Sequence, residues 1–422
     1  MDTSRLDQIT KYSLLVFAFS IPWSSALYRM SVFALCLCFL AHLWLTYFHG
    51  HLATKGKTFN GLCPDLIWLW PVGLSIWVAA SWFWTSGSPE LYRFDAWRYI
   101  KLLMIPVIGF FIHRLFDSQE IKIIKAFCLG VVVLMIPTYL DFLGVFQLLQ
   151  ISDLVKGDAA YHRHSSMGLN LVYWRNQIVH GFHVAMLFGI SLLTKPKNGS
   201  SRYLHWGIAA LCMFDVLYLI VGKMALFSLI ASAFIVLLLS VKNNKLKYLA
   251  FSAIFLAVFI AFSSGIQQRI FLIWNEASSF YLNHRIDTST GNRLHYWGIS
   301  IELFLQHPII GNGAGSFREF LMVSNDPLSQ IFHYHTHNEY LTQLSQFGLI
   351  GLVLFLGIFY WAIKSARQNP DLRVQNCVLL TMVLFAMNAF SDSSLHNEWE
   401  GWTLVLFTSI AIANQMQFKP RD

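Results

Sequence analysis

Between residues 332 and 340 the chain reads Phe-His-Tyr-His-Thr-His-Asn-Glu-Tyr, so His333, His335 and His337 alternate ahead of Asn338 and Glu339. An imidazole exchanges a proton near neutral pH, and a nearby carboxylate can orient it or act in its place, so the run can supply a general base for a weak nucleophile such as a hydroxyl. Alternation in an extended segment would also turn the three rings to one face, where they could ligate zinc. Neither a Cys nor a His-Glu-x-x-His spacing accompanies them, and no metal or other cofactor is expected.

The second chemical signal is a set of cations. Lys223, Arg293, Arg163 and Arg175 stand next to apolar runs or in the polar stretches between them, as do Arg98 and Lys101. Fixed cations at such places bind anionic groups, phosphates above all. Snorkelling toward lipid phosphates is the plainer account of Arg98 and Lys101. Four further histidines, His162, His164, His180 and His183, read as hydrogen-bonded structural residues. Asp392, His396, Glu398 and Glu400 share a short segment without any Lys or Arg and read most simply as solvated surface, with a place at a substrate entrance as the alternative.

The elements that must position these residues are membrane helices. Of 422 residues 56% are hydrophobic and only 12% charged, too apolar for a soluble surface around a compact core. The net charge of +8 is scattered in short clusters between apolar runs, which excludes a nucleic-acid-binding domain. Six cysteines without a Cys-x-x-Cys pair indicate neither a disulfide framework nor thiol chemistry. The polar start leads into two apolar runs without a small-residue cleavage site, so the first span is expected to stay.

Backbone polar groups inside a bilayer are satisfied only within helices or closed barrels, and about 20 apolar residues make one helical span. Twelve stretches qualify, near 12–28, 30–48, 65–84, 99–116, 123–148, 176–194, 204–221, 224–241, 246–264, 347–363, 374–390 and 401–416. The expected fold is therefore an all-α integral membrane protein, one polytopic domain over 1–422, with a long outer loop at 265–346 between spans nine and ten. Within that loop Leu294, Trp297, Ile301, Phe304 and Leu305 give an amphipathic helix over 293–306.

Of the 30 Lys and Arg, 18 fall in short loops on the side of the termini, which makes both termini cytoplasmic. The other 12, including Arg163, Arg175, Lys223 and Arg293, fall on the far side against the bias, and either an anionic ligand there or salt bridges to neighbours such as Asp158, Glu276, Asp287 and Glu319 would explain them. Reporters fused after Lys247 and after Gln368 should read cytoplasmic, and one within 278–282 should read the opposite side. A cytoplasmic reading at Ser279 would overturn this arrangement.

Three motifs in the long loop carry a resemblance. His337-Asn338, nine residues, then Gly348-Leu349 resembles the His-Asn-x9-Gly-Leu signature of the O-antigen ligase family. Pro308 to Phe317, with Gly311, Gly313 and Gly315 at alternate positions, resembles the Pro-x-x-Gly-x-Gly-x-Gly-x-Phe stretch of the wider ligase and polymerase superfamily. Gly291-Asn292-Arg293 resembles the Gly-x-Arg that precedes it. The resemblance covers about 205–365; Lys223 stands where family members tend to carry an Arg, keeping the charge but not the planar fork.

The resemblance implies a GT-C-like glycosyltransferase of the bacterial inner membrane with its active site facing the periplasm. Its donor would be a glycan on undecaprenyl pyrophosphate, its acceptor a hydroxyl of the lipid A core, and its other partners membrane lipids. In that reading Arg293 and Lys223 stabilise the leaving pyrophosphate, and Arg163 and Arg175 are further phosphate contacts. His337 is the base, with Glu339 as the alternative, and His335, Asn338 and Glu339 face substrate. A single displacement without metal would invert the anomeric centre. An O-antigen polymerase or a protein O-oligosaccharyltransferase would use the same donor. A transporter or flippase also suits twelve spans, but such carriers show paired repeats and ionisable groups near the midplane. Here the polar residues are loaded onto one face.

Overall fold

The computed structural model describes residues 3–49, 69–116, 119–148, 161–164, 170–173, 176–220, 222–241, 243–244, 247, 250, 264–324, 326 and 335–415. Sixteen α-helices run through them: α1 Thr3–Ser20, α2 Ser25–His49, α3 Leu69–Ala80, α4 Pro89–Ala96, α5 Met104–Phe116, α6 Ile121–Phe142, α7 Val145–Leu148, α8 Gln177–Thr194, α9 Ser201–Phe214, α10 Lys223–Ser240, α11 Ser264–Asn283, α12 Ser289–Gln306, α13 Ser316–Val323, α14 Glu339–Ala366, α15 Leu372–Asn388 and α16 Glu398–Ala413. The strands among the described residues form a small antiparallel hairpin, β1 Tyr161–His164 with β2 Asn170–Tyr173, in which Arg163 faces Leu171 in register.

Among the described residues, six helical stretches are long and apolar enough to cross a membrane: Ser25–Leu45, Pro89–Phe116, Ile121–Phe142, Gln177–Thr194, Lys223–Ser240 and Glu339–Ala366. Leu69–Phe83 and Leu372–Asn388 are shorter apolar helices. The chain is thus a helical membrane protein. Most of the ninth expected span, 246–264, lies outside the described residues.

Several boundaries differ from those read in the sequence, each for a local reason. The first expected span, 12–28, is interrupted: α1 stops at Ser20 and α2 starts at Ser25. Pro22 lacks an amide hydrogen and its ring clashes with the preceding turn, while the Ser24 hydroxyl accepts from Leu27 N at 3.3 Å and starts the next helix. The fifth ends at Phe142 rather than 148, because the chain turns at Gly144, whose φ of 72° is left-handed. The fourth begins earlier, since α4 runs through a 3-10 segment, Trp97–Leu103, into α5.

The expected loop at 265–346 is itself largely helical. It contains α11, α12, α13 and the first turns of α14, which begins at Glu339 rather than near 347. The amphipathic helix expected at 293–306 is the greater part of α12. Its inner side packs Tyr296, Ile299 and Leu303 against Phe317 and Leu321 of α13, a small core separate from the large one. α8 lies inside the bundle, flanked by α6, α9, α10 and α15. Its side chains from Val179 to Leu187 are nearly all buried, which explains its almost continuous apolar sequence.

Candidate functional site

The site begins with a kink. Gly348 interrupts α14 with φ 66° and ψ −164°, a backbone state that a residue with a Cβ rarely takes. The kink frees carbonyls and amides that the 308–315 loop then pairs. Asn312 N donates to Ser345 O at 3.1 Å, Gly313 N to Gln346 O at 2.7 Å, and Leu349 N to Pro308 O at 2.9 Å. Gly315 N donates to Gln346 Oε1 at 2.8 Å, and Asn312 Nδ2 reaches Leu303 O at 2.6 Å. On its other side the loop presses against the 85–92 segment, where a Cβ on Gly313 would lie 2.4 Å from Thr85 Cα. The glycine motif and the Gly348 of the His-Asn signature are therefore two halves of one joint. That joint fixes the start of α14 against α12, α13 and α4.

At that start Asn338 caps α14, its carboxamide oxygen accepting from Leu341 N at 3.1 Å. The side chain offered in the sequence as a substrate contact is thus engaged with the helix. Just before it, His337 adopts a left-handed φ of 51°, unusual for a residue with a side chain. The turn brings His335 and His337 together, ring centroids 4.1 Å apart, and stacks His337 on Tyr296 of α12 at 6.2 Å and 14°.

Facing both rings is Asp392, from the loop between α15 and α16. Its Oδ1 lies 3.5 Å from His337 Nδ1 and 3.8 Å from His335 Nδ1. Asp392 is held in turn by Ser393 N at 2.9 Å and Asn397 Nδ2 at 2.8 Å. Burial opposes its ionisation, but the hydrogen bond from His337 and the positive charges of His335, His337 and Arg293 outweigh burial and hold the carboxyl well below the usual carboxylate range. Asp392 is therefore a fixed anion able to orient the His337 ring and stabilise its protonated form. One ligand atom from each of His335, His337 and Asp392 lies within 4.8 Å of the others, so among the described residues these three could hold a cation.

Glu339, the alternative base, is fully buried, and both its oxygens are engaged. Oε2 accepts from Leu395 N at 3.0 Å and His396 N at 3.3 Å, and Oε1 from Gln343 Nε2 at 2.7 Å. Its role in this geometry is to tether the Asp392 loop to α14.

Arg293 and Lys223 line one apolar cavity of about 960 Å³, whose walls include Phe227, Leu356, Phe359, Met382 and Phe390. Lys223 is paired with Glu276 at 2.9 Å, and Thr290 donates its amide to the same carboxylate at 3.0 Å. Burial, opposed by the lowering effects of the Thr290 hydroxyl and Lys223, leaves Glu276 below its ordinary range and so ionised. Arg293 is mostly buried and donates to Ser289 Oγ at 3.0 Å, but its buried Nε has no hydrogen-bond partner among the described residues. Burial pushes the Arg293 pKa down, partly offset by Asp392 and Glu276. Because Arg293 and Tyr296 are three apart on α12, they share a face of that helix, and Tyr296 meets His337.

Sequence reasoning did not place Asp392 among the site residues and read its segment most simply as solvated, with a substrate entrance as the alternative; Asp392, His396 and Glu400 are all buried. The balancing charges come from distant segments. Asp392 faces His335 and His337, Glu398 pairs with Arg29 at 2.6 Å, and His396 Nε2 lies 3.4 Å from Asp95. The signal available was the absence of any cation among four acidic and histidine side chains in that segment. His180 and His183 are buried and hydrogen-bonded as expected, His180 to Asp215 Oδ2 at 3.4 Å and His183 to Thr403 Oγ1 at 3.0 Å. Arg163 is placed only as a β1 backbone position, with His162 and His164 beside it. Arg175 and His333 lie outside the described residues.

Residues 208–356, about a third of the chain, match the family model described as O-antigen ligase. No curated protein matches the chain. The matched segment runs from α9 to beyond the Gly348 kink and contains Lys223, Arg293, the glycine loop and the His337-Asn338 turn that meet in the site. That segment of the chain is thus similar to the O-antigen ligase family.

Proposed function

We propose that the protein transfers a glycan from undecaprenyl pyrophosphate to a hydroxyl of the lipid A core on the periplasmic face of the inner membrane. The observation that carries this reading is a single apolar cavity holding two cations, with a histidine–carboxylate pair on the adjoining turn. A polyprenyl chain needs an apolar wall, its pyrophosphate needs cations, and a sugar hydroxyl needs a base. The cavity, Arg293 with Lys223, and His337 with Asp392 meet these three needs within one site.

In the step itself the acceptor oxygen attacks the anomeric carbon of the donor sugar. Its proton passes to His337, the bond from the anomeric carbon to the phosphate oxygen breaks, and pyrophosphate leaves on the carrier with the electron pair. Arg293 offers its unpartnered Nε–H to the charge that grows on the leaving group, which strengthens that contact in the transition state rather than in the ground state. Lys223 supplies a second charge, already balanced by Glu276. Asp392 keeps the His337 ring oriented and favours its protonated form. A single displacement inverts the anomeric configuration.

Loss of the protein in cells separates this reading from its neighbours. Polymerised glycan stranded on its lipid carrier supports ligation, whereas loss of the polymer itself would mean a polymerase. No nucleotide or ion is required in this account, because the donor pyrophosphate bond supplies the driving force. Transfer by purified protein should therefore survive EDTA. Activity lost in chelator and restored by one particular ion would instead make His335, His337 and Asp392 a ligand set.

A further inference from the structure

A second apolar groove lies on the far side of the Asp392 loop from the cavity that holds Arg293. It has two lobes, of about 960 and 500 Å³, which share Trp97, Ile100 and Leu103 as a common wall. These three occupy every third position of the 3-10 segment Trp97–Leu103, and side chains three apart eclipse in a 3-10 helix. They form a straight apolar rib, with Trp97 73% exposed, Ile100 45% and Leu103 40%. A 3-10 run of this length is uncommon, and here it sets apolar side chains outward along one line.

The polar edge of the groove carries four cations, Arg29, Arg93, Arg98 and Lys101, against two acids, Glu90 and Glu398. Two of the cations bind the loop that ends in the candidate site. Arg98 Nη1 donates to His396 O at 2.9 Å and Lys101 Nζ to Asn397 O at 3.0 Å. Asn397 in turn holds Asp392 at 2.8 Å. The loop from Phe390 to Glu398 thus bridges the two grooves. Phe390 and Ser391 line the cavity of Arg293, Glu398 lines the second groove, and Asp392 stands between them.

Resting on the proposed transfer reaction, we propose that this two-lobed groove holds the acyl chains of the acceptor, a multiply acylated, phosphorylated glycolipid. Its phosphate lies against the Arg29, Arg93 and Arg98 edge, and its sugars extend across the 392–398 loop to His337. Two lipid substrates in one membrane cannot share the cavity of Arg293, and a second apolar groove with excess positive charge is complementary to an anionic lipid rather than a neutral one. The two lobes on either side of the rib accommodate separate chains.

Binding is tested first, without donor. Trp97 fluorescence, taken as the difference between the parent and Trp97→Phe, should be quenched by a phosphorylated glycolipid with brominated acyl chains and much less by brominated phosphatidylglycerol. Equal quenching by both would make the groove an ordinary anionic-lipid surface and overturn the proposal. Turnover is tested next with Trp97→Ala. KM for the acylated acceptor should rise about tenfold, as losing one anchoring contact implies, while kcat and the KM for a deacylated, water-soluble acceptor change by less than about twofold. An equal rise for both acceptors, or no rise for either, contradicts the proposal. Selective quenching by the glycolipid in a parent protein that transfers no glycan to it would leave the groove standing and remove the ligase reading instead.

Discussion

Arg293→Ala is expected to lower the initial rate of glycan transfer roughly 10²–10³-fold, the usual cost of removing one preorganised donor from a developing anion. Arg293 is mostly buried, so its charge acts where water screens little, and its Nε has no hydrogen-bond partner among the described residues on a cavity wall suited to a lipid-linked donor. Arg293→Lys should recover little, because a point charge replaces a planar fork that fits two phosphate oxygens. Lys223→Arg should be tolerated, since the charge and the Glu276 pairing survive. The check is the rate of transfer by purified, stably folded variants beside their affinity for donor. Near-normal transfer by Arg293→Ala would move the pyrophosphate contact to another cation.

His337→Ala is expected to cost about 10²–10⁴ in kcat while leaving donor affinity nearly intact, the range typical of a positioned acid or base. The left-handed backbone at His337 accompanies a ring stacked on Tyr296 and facing Asp392, the placement the proposed base needs. Asp392→Asn should lower kcat less than His337→Ala, since it removes orientation and charge but keeps the base. Combined with His337→Ala it should add little, because the carboxylate acts through the ring. Glu339→Gln should act differently, through stability, because Glu339 holds Leu395 N and His396 N at the base of the Asp392 loop. If His337→Ala folds, binds donor and turns over within about tenfold of the parent, the base assignment fails.

The membrane class and most helices were legible because apolar runs and their length are set by the bilayer, independent of tertiary detail. α8 and α10 sit within a residue or so of the expected 176–194 and 224–241. Misplaced boundaries lie where one residue overrides hydropathy: Pro22 splitting the first run, Gly144 ending α6, and Asn338 starting α14 ahead of its apolar part. The joint between Gly348 and the 308–315 loop was visible only as two motifs, because the contact that unites them is made across space by backbone amides. Arg293 and His337 were singled out through the Gly-x-Arg and His-Asn motifs, and Lys223 as a cation beside an apolar run. Asp392 was not, because its partners are the histidines of another segment, and nothing in its own neighbourhood shows that it is buried.

The most direct test combines purified protein in proteoliposomes, a glycan on undecaprenyl pyrophosphate and lipid A core, with no nucleotide and EDTA present. The account predicts ligated glycolipid and released undecaprenyl pyrophosphate in equal amounts, with the product inverted at the anomeric carbon and its formation lost in His337→Ala and Arg293→Ala. Glycan extended on its carrier, a retained anomeric configuration, or unimpaired transfer by both variants would contradict it.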